Sequence, residues 1–299
     1  MTALRRTPLT TDAGASWTVR VASAGADGPG TDRPEMLRTG VSATVPGEIH
    51  ADLLDHGLIP DPFDGANESA VQWVGATGWC WSTTFDGSPE ADHGTGATRH
   101  DLVVTGLDTV AVVVLNGMEI GRPANQHRTH RFDIGSLLVH GSNTLEITVE
   151  APYAAAERLE VELGPRPKAY NRPFNALRKM ASAYGWDWGP DLAGAGILGG
   201  IGIESWDEVR VAGVRPRARM DGEAGVLDVV VDLEWAVARG SAVLGVECDG
   251  VSADVSAEAG TAQVEVRLDV PAARAWGGGG RSGHTTAGVP AVVGGEHGG

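Results

Sequence analysis

The sequence predicts an all-β protein built from antiparallel sandwiches. Three observations predict it. The apolar segments are short and rich in β-branched residues, they are bounded by Gly, Pro, Asn or Asp, and helical patterning only decorates the gaps between them. Parallel βαβ units would instead alternate strands with long amphipathic helices.

Along the chain, strand-like runs fall at residues 17–21 (WTVRV), 79–85 (WCWSTTF), 101–104 (DLVV) and 110–115 (VAVVVL). Asn116-Gly117 follows the last run directly, and a type I′ hairpin turn wants positive φ at both of its central positions. Residues 131–134 (RFDI) and 145–149 (LEITV) continue the pattern on either side of Gly141. Two helices are expected. One covers 48–56 (EIHADLLDH) and is closed by Gly57; the other covers 153–163 (YAAAERLEVEL) and is closed by Gly164-Pro165.

A second group of strands is expected at 209–211, 226–237, 242–248 and 262–270, resembling a small immunoglobulin-like sandwich with too few strands to be complete. From Pro271 the periodicity stops and glycine crowds the sequence. A flexible linker and a segment read out of frame from GC-rich coding sequence both fit that composition. The expected organisation is therefore one domain over 1–207, a partial sandwich over 208–270 and a Gly-rich disordered tail over 271–299.

The 299 residues, 42% of them apolar, suffice for one large or two medium cores. A formal charge of −16 argues against nucleic-acid binding, which needs a basic stripe. Eleven acidic residues lie between Asp221 and Asp269 against Arg239 and Arg267 alone, at strand-like spacing that suits a solvated face. Cys80 and Cys248 form neither a CxxC pair nor a disulfide framework. The start MTALRRTPLT lacks an apolar run after its arginines, and no stretch reaches the ~20 apolar residues of a membrane span. A soluble, cytoplasmic protein without membrane or nucleic-acid partners is expected.

The densest chemistry lies at residues 178–191, RKMASAYGWDWGPD. Asp187 stands between Trp186 and Trp188 in a context of breakers, which suits a loop presenting two indoles and one acceptor. Indole faces pack on the C–H face of a pyranose while a carboxylate accepts from its hydroxyls. A structural Trp-rich turn is the competing reading. His127 and His130, three apart in strand context, point to opposite faces and do not suggest a shared metal. Arg178 and Lys179 suit a structural role behind the loop. GGGGR at Gly277 neither follows a strand nor opens a helix, so no phosphate cradle is expected.

GWDWGPD closely resembles the signature of β-mannosidases in glycoside hydrolase family 2. Residues 45–75 (VPGEIHADLLDHGLIPDPFDGANESAVQWVG), 106–117 (GLDTVAVVVLNG) and 124–134 (ANQHRTHRFDI) resemble further blocks of that family, in the same order. The resemblance covers about residues 17–211 well and extends weakly to 270. It implies a jelly-roll, galactose-binding-like first domain whose loop reaches the mouth of a TIM barrel, with Trp186, Asp187 and Trp188 helping to form the subsite for the terminal mannose. No cofactor and no metal are expected. The catalytic glutamates, an acid/base and a nucleophile, belong to that barrel, and retaining hydrolysis needs them ~5–5.5 Å apart. This chain is thus expected to contribute subsite residues for a β-mannoside oligosaccharide, with no catalytic residue of its own and the barrel missing.

Asn67-Glu68 imitates the Asn-Glu pair of the family's acid/base residue, but its surroundings match the N-terminal block, so Glu68 is not expected to be catalytic. Asn67-Glu68-Ser69 is also a formal glycosylation sequon. Two departures stand out: Gly199 occupies a place where the family usually carries arginine, and no Trp-Pro-Gly motif closes the second domain, Trp276 being its remnant. The alternative functional reading is a stand-alone carbohydrate-binding module without hydrolysis; a third is the inert product of an interrupted gene.

Overall fold

A computed structural model describes residues 4–22, 35–87, 99–170, 172–222, 224–271 and 273. The tail expected at 271–299, including Trp276 and Gly277, otherwise lies outside the described residues. The chain divides into two compact units: Arg6–Ala91 with His100–Glu204, and the residues from Ser205 onward with Arg5 and Arg99.

In chain order the first unit is built on β1 (Arg5–Pro8), β2 (Trp17–Val21), α1 (Met36–Thr39), β3 (Val41–Ala43), β4 (Gly47–Glu48), α2 (Ile49–Asp55) and α3 (Asn67–Ala70). Then come β5 (Trp79–Asp86), β6 (Arg99–Val104), β7 (Leu107–Asp108), β8 (Ala111–Leu115), β9 (Met118–Gly121), β10 (His130–Asp133) and β11 (Ser142–Val149). The helix α4 (Pro152–Leu163) precedes β12 (Tyr184–Trp186), β13 (Gly189–Asp191), β14 (Gly196–Ile197) and β15 (Ile201–Trp206). The fold is all-β, and this unit is a sandwich. One sheet runs β3-β2-β5-β11-β8-β9, the other β1-β15-β6-β10, and a single apolar core takes residues from both.

Period-two alternation explains how the large sheet fills that core. Val19 pairs with Trp81, Trp81 with Ile147 and Ile147 with Val113, and this row across four strands is fully buried. Each large side chain so buried contributes about 2–3 kcal/mol. Asn116 and Gly117 close the β8–β9 hairpin at φ 51° and 79°, the left-handed pair expected from the sequence. Asn116 also reaches across the sheet, donating to Leu137 O and Asn143 Oδ1, each at 2.8 Å.

The helix α2 starts where the Glu48 carboxylate accepts from the His50 amide at 3.0 Å, and it ends before Gly57, at φ 64°. Its Asp52 is buried. One carboxylate oxygen accepts from the Thr44 amide at 2.9 Å while the other has no partner. Burial, with Glu48 nearby, pushes the Asp52 carboxyl up to about 6. The helix α4 begins with Pro152 in its first turn and stops at Gly164, φ 84°. Tyr153, Ala155 and Ala156 on its buried face pack with Leu177, Tyr184 and Ala193 into a small separate core beneath β12 and β13.

The second unit contains β16 (Val209–Asp221), β17 (Ala224–Trp235), β18 (Ser241–Cys248), β19 (Val251–Glu258) and β20 (Gln263–Val270). Three strands form one sheet, β16-β17-β20, and two form another, β18-β19. The four expected strands are joined by a fifth, β19. Its sequence VSADVSAE escaped notice because Ala, Ser and Asp are poor strand formers that pairing with β18 overrides. The first strand also runs ten residues beyond Val211, past a bulge at Val211/Gly213 and through Pro216 on a sheet edge, where a missing N–H is tolerated.

Candidate functional site

The Trp-Asp-Trp segment forms a hairpin tip. Tyr184 pairs with Asp191 and Trp186 with Gly189, which leaves Asp187 and Trp188 as the two turn residues. All three candidate residues are exposed, Trp186 at 44% and Trp188 at 78%. So much indole surface left in water is uncommon for a residue type that usually buries its ring.

The hairpin stem is held tightly. The Tyr184 hydroxyl donates to Pro152 O at 3.2 Å, and burial together with the Asp108 carboxylate pushes its pKa well above the ordinary value. The Asp191 amide donates to Glu68 Oε1 at 2.8 Å, and Gln72 Nε2 donates to Asp191 O at 2.7 Å. The Tyr153 hydroxyl lies 3.0 Å from Asp191 Oδ1, while Arg172 stacks over the Tyr153 ring at 3.3 Å and turns Nε toward Asp191 Oδ2 at 3.5 Å. Burial is the main cause that pushes the Tyr153 hydroxyl upward, with Asp191 adding to it.

Below the stem, Lys179 makes a buried ion pair with Asp108 and donates to Gly194 O at 2.9 Å. A Cβ at Gly194 would meet the Glu48 carboxylate that caps α2, so that side chain would have to shift. Lys179 is thus structural, as its place in the sequence suggested. Arg178 is exposed, and its contribution here is a backbone bridge to Asn125, with Gln126 N donating to Arg178 O at 2.9 Å.

Tyr170 leans on the tip: its ring centroid is 5.9 Å from that of Trp186 and its hydroxyl donates to Asp187 Oδ1 at 3.4 Å. Partial desolvation and the Asp187 charge raise its pKa. Beside Trp186 opens a cavity of about 810 Å³, lined among others by Glu160, Lys168, Tyr170, Arg172 and Asp191. Sequence reasoning did not single these residues out. Asp191 ends the GWDWGPD motif, but the others are scattered over 160–172 without a motif, and only the packing of α4 against the hairpin gathers them. Glu68 also lines the cavity and is committed to the Asp191 amide, so the Asn-Glu look-alike has a stem-fixing part.

His127 lies in the turn before β10 and not in a strand, while His130 Nε2 donates to Asn125 O at 2.8 Å. Among the described residues no three His, Cys, Asp or Glu side chains gather as metal ligands. Gly199 packs on Thr105, where a Cβ would lie 2.5 Å from Oγ1, so the turn holds its place by close backbone approach without the arginine. Cys80 and Cys248 are free thiols, and no helix among the described residues is long and apolar enough to cross a membrane.

Residues 17–199 match the family described as "Glycosyl hydrolase 2 galactose-binding domain-like". Beta-mannosidase B of Thermothelomyces thermophilus is 38% identical over 180 residues, which is 59% of this chain and 20% of that protein. Beta-mannosidase of Bos taurus is 32% identical over 178 residues, 55% of this chain and 19% of that protein. The crystal structure of β-D-mannosidase from Dictyoglomus thermophilum superposes with a TM-score of 0.72 at 26% identity, covering 92% of this chain and 32% of that one. The exo-chitosanase of Amycolatopsis orientalis shares the fold, with a TM-score of 0.60 at 18% identity, over 93% of this chain and 30% of that one. The chain spans about a fifth of the length of the curated relatives it matches. With more than half of its residues matched, it belongs to glycoside hydrolase family 2 through a galactose-binding-like domain of the kind found in β-mannosidases.

Proposed function

We propose that this chain supplies the substrate-contacting loop of a β-mannosidase, the glycosidase that hydrolyses terminal non-reducing β-D-mannose. In this reading Trp186 and Trp188 pack on the sugar's C–H face and Asp187 accepts from its hydroxyls. The observation that carries it is the exposed Trp-Asp-Trp tip on a stem fixed by Glu68, Gln72, Tyr153 and Arg172. Exposed aromatic surface on a rigid support is how a binding element keeps its geometry before the ligand arrives.

The catalytic carboxylate pair is assigned to a TIM barrel and not to these 299 residues; the engagement of Glu68 with the Asp191 backbone supports that assignment. The organisation into 1–207, an immunoglobulin-like 208–270 and a tail is likewise a proposal, as is a cytoplasmic site, which the two free thiols favour. A stand-alone carbohydrate-binding module is the second reading, favoured by a cavity that this chain forms from its own residues.

The test is activity of the purified chain on a chromogenic β-mannoside. No turnover is expected. Turnover that survives purification and disappears in Glu68→Gln would overturn the assignment of the carboxylates, and binding without turnover even in a barrel-containing form would favour the second reading.

A further inference from the structure

Asp187 and Trp188 do not line the cavity beside Trp186; that space opens on the α4 side of the hairpin. We propose that this cleft is a saccharide site in its own right, selective for an uncharged pyranoside over a uronic acid. The proposal rests on the carbohydrate-contact reading of Trp186 and adds to it a second surface and a ligand class.

Size and shape come first. About 810 Å³ lies within the range of small-ligand pockets, ~300–1,000 Å³, and exceeds what one sugar ring fills. Trp186 and Tyr170 line it as two rings inclined at 53°, an aromatic corner against which the apolar face of a pyranose can rest.

The polar groups facing that corner are fixed in advance. Lys168 Nζ pairs with Glu160 Oε1 at 2.6 Å, which uses one of three ammonium donors and one of two carboxylate oxygens. Arg172 is clamped between the Tyr153 ring and Asp191, and its planar fork keeps further N–H groups for a ligand. Vicinal hydroxyls both donate and accept, so they match a row of ion-paired donors and acceptors. Little side-chain entropy is lost when those groups are already held.

Charge decides the ligand class. Glu68, Glu157, Glu160 and Asp191 line the cleft against Lys168 and Arg172, two more negative charges than positive. A sugar carboxylate would enter against that excess, in a recess where screening is weaker than in bulk water. A neutral hexoside meets no such opposition.

The test is saturation-transfer NMR on the intact 299-residue chain at neutral pH, with methyl β-D-mannopyranoside and the corresponding methyl β-D-glucuronide as probes. The mannoside should bind, and the uronide about tenfold more weakly or less. Glu160→Gln combined with Lys168→Met should weaken mannoside binding by about tenfold, with an unchanged circular dichroism spectrum. Glu160→Gln alone, which keeps the side chain's shape, should give a smaller loss in the same direction. If Asp187→Ala abolishes binding and the cleft variants do not, the sugar sits on the hairpin tip; the cleft is then wrong and the loop reading stands. Equal binding of mannoside and uronide, or binding of neither, also overturns the cleft. The loop reading is judged separately, by the kinetics of Asp187→Ala in a barrel-containing enzyme.

Discussion

The amide of Asp191 donates to the carboxylate of Glu68 at 2.8 Å, which joins two residues 123 positions apart. One is the last residue of the tryptophan hairpin and the other lies in the single helical turn α3. A charged acceptor on a backbone donor is among the stronger hydrogen bonds, so this contact fixes where the hairpin leaves the sandwich.

Glu68→Ala should therefore destabilise the first unit by about 1–3 kcal/mol, because a half-buried amide loses its charged partner. Glu68→Gln keeps a carbonyl acceptor and should cost clearly less. Urea unfolding of the three proteins checks the order; equal stabilities would show the contact to be idle.

The Lys179–Asp108 pair is buried on both sides, with side chains exposed by 2% and 5%. Lys179→Met should leave Asp108 as an uncompensated buried charge and cost about 3–5 kcal/mol. Adding Asp108→Asn should recover part of that loss, giving a coupling energy well away from zero in a double-mutant cycle. Additive losses would mean that the two groups do not act as a pair.

Asp52 gives the first unit a pH-dependent weakness. Its folded pKa, about 6, lies above the ordinary aspartate value of 3.8, so the folded state holds the proton more tightly than the unfolded state. The stabilising contribution is fully present below about 3.8 and is lost as pH rises through about 6. Asp52→Asn, which cannot ionise, should gain on the native sequence by about 2–3 kcal/mol between pH 4 and pH 7. Chemical denaturation at both values measures that difference, and a gap independent of pH would refute the assignment.

In an enzyme that contains the catalytic barrel, Asp187→Ala should lower kcat/KM by about two to four powers of ten, since a site built to hydrogen-bond hydroxyls loses its acceptor. Trp188→Ala should do less if that ring only supports the turn. Unchanged kinetics in Asp187→Ala would remove Asp187 from the substrate site.

Strand β18 offers the least protected edge in the second unit. Among the described residues it pairs with β19 alone, and along SAVLGVEC only Glu247 is charged. By contrast β16 carries Pro216 and a row of arginines, β19 carries Asp254 and Glu258, and β20 carries Glu265, Arg267 and Asp269. These are the devices that keep edges from pairing with other chains. Association should rise as salt is raised toward about 1 M, where the Debye length falls to ~3 Å, and Val243→Lys should suppress it. Light scattering of both proteins across a salt series decides the matter; Val243→Lys aggregating like the native chain would point to another surface.

Much of this protein was legible in its sequence because the information is local. Period-two runs placed β2, β5, β8 and β11, and Asn116-Gly117 announced a hairpin because positive φ at two successive positions is a demand that few dipeptides meet. The breakers around Trp186, Asp187 and Trp188 foretold an exposed turn because Gly and Pro interrupt regular structure within a few residues. Strand β19 was missed because its residues have little strand preference of their own, and the register with β18 imposes what propensity does not.

What the sequence by itself determined was the strand pattern, the turns and the identity of the aromatic loop. Only the tertiary structure decided the partners of that loop. The surroundings of Glu68 already set it apart from a catalytic residue, but its part in the fold emerged only when the structure set it against the Asp191 amide, and Tyr170, Lys168 and Arg172 carried no signal until α4 packed on the hairpin beside them. Turns and strands follow from forces acting within a few residues. A site follows from side chains that become neighbours only after the core has closed, and the burial that closes it is indifferent to which polar groups it brings together.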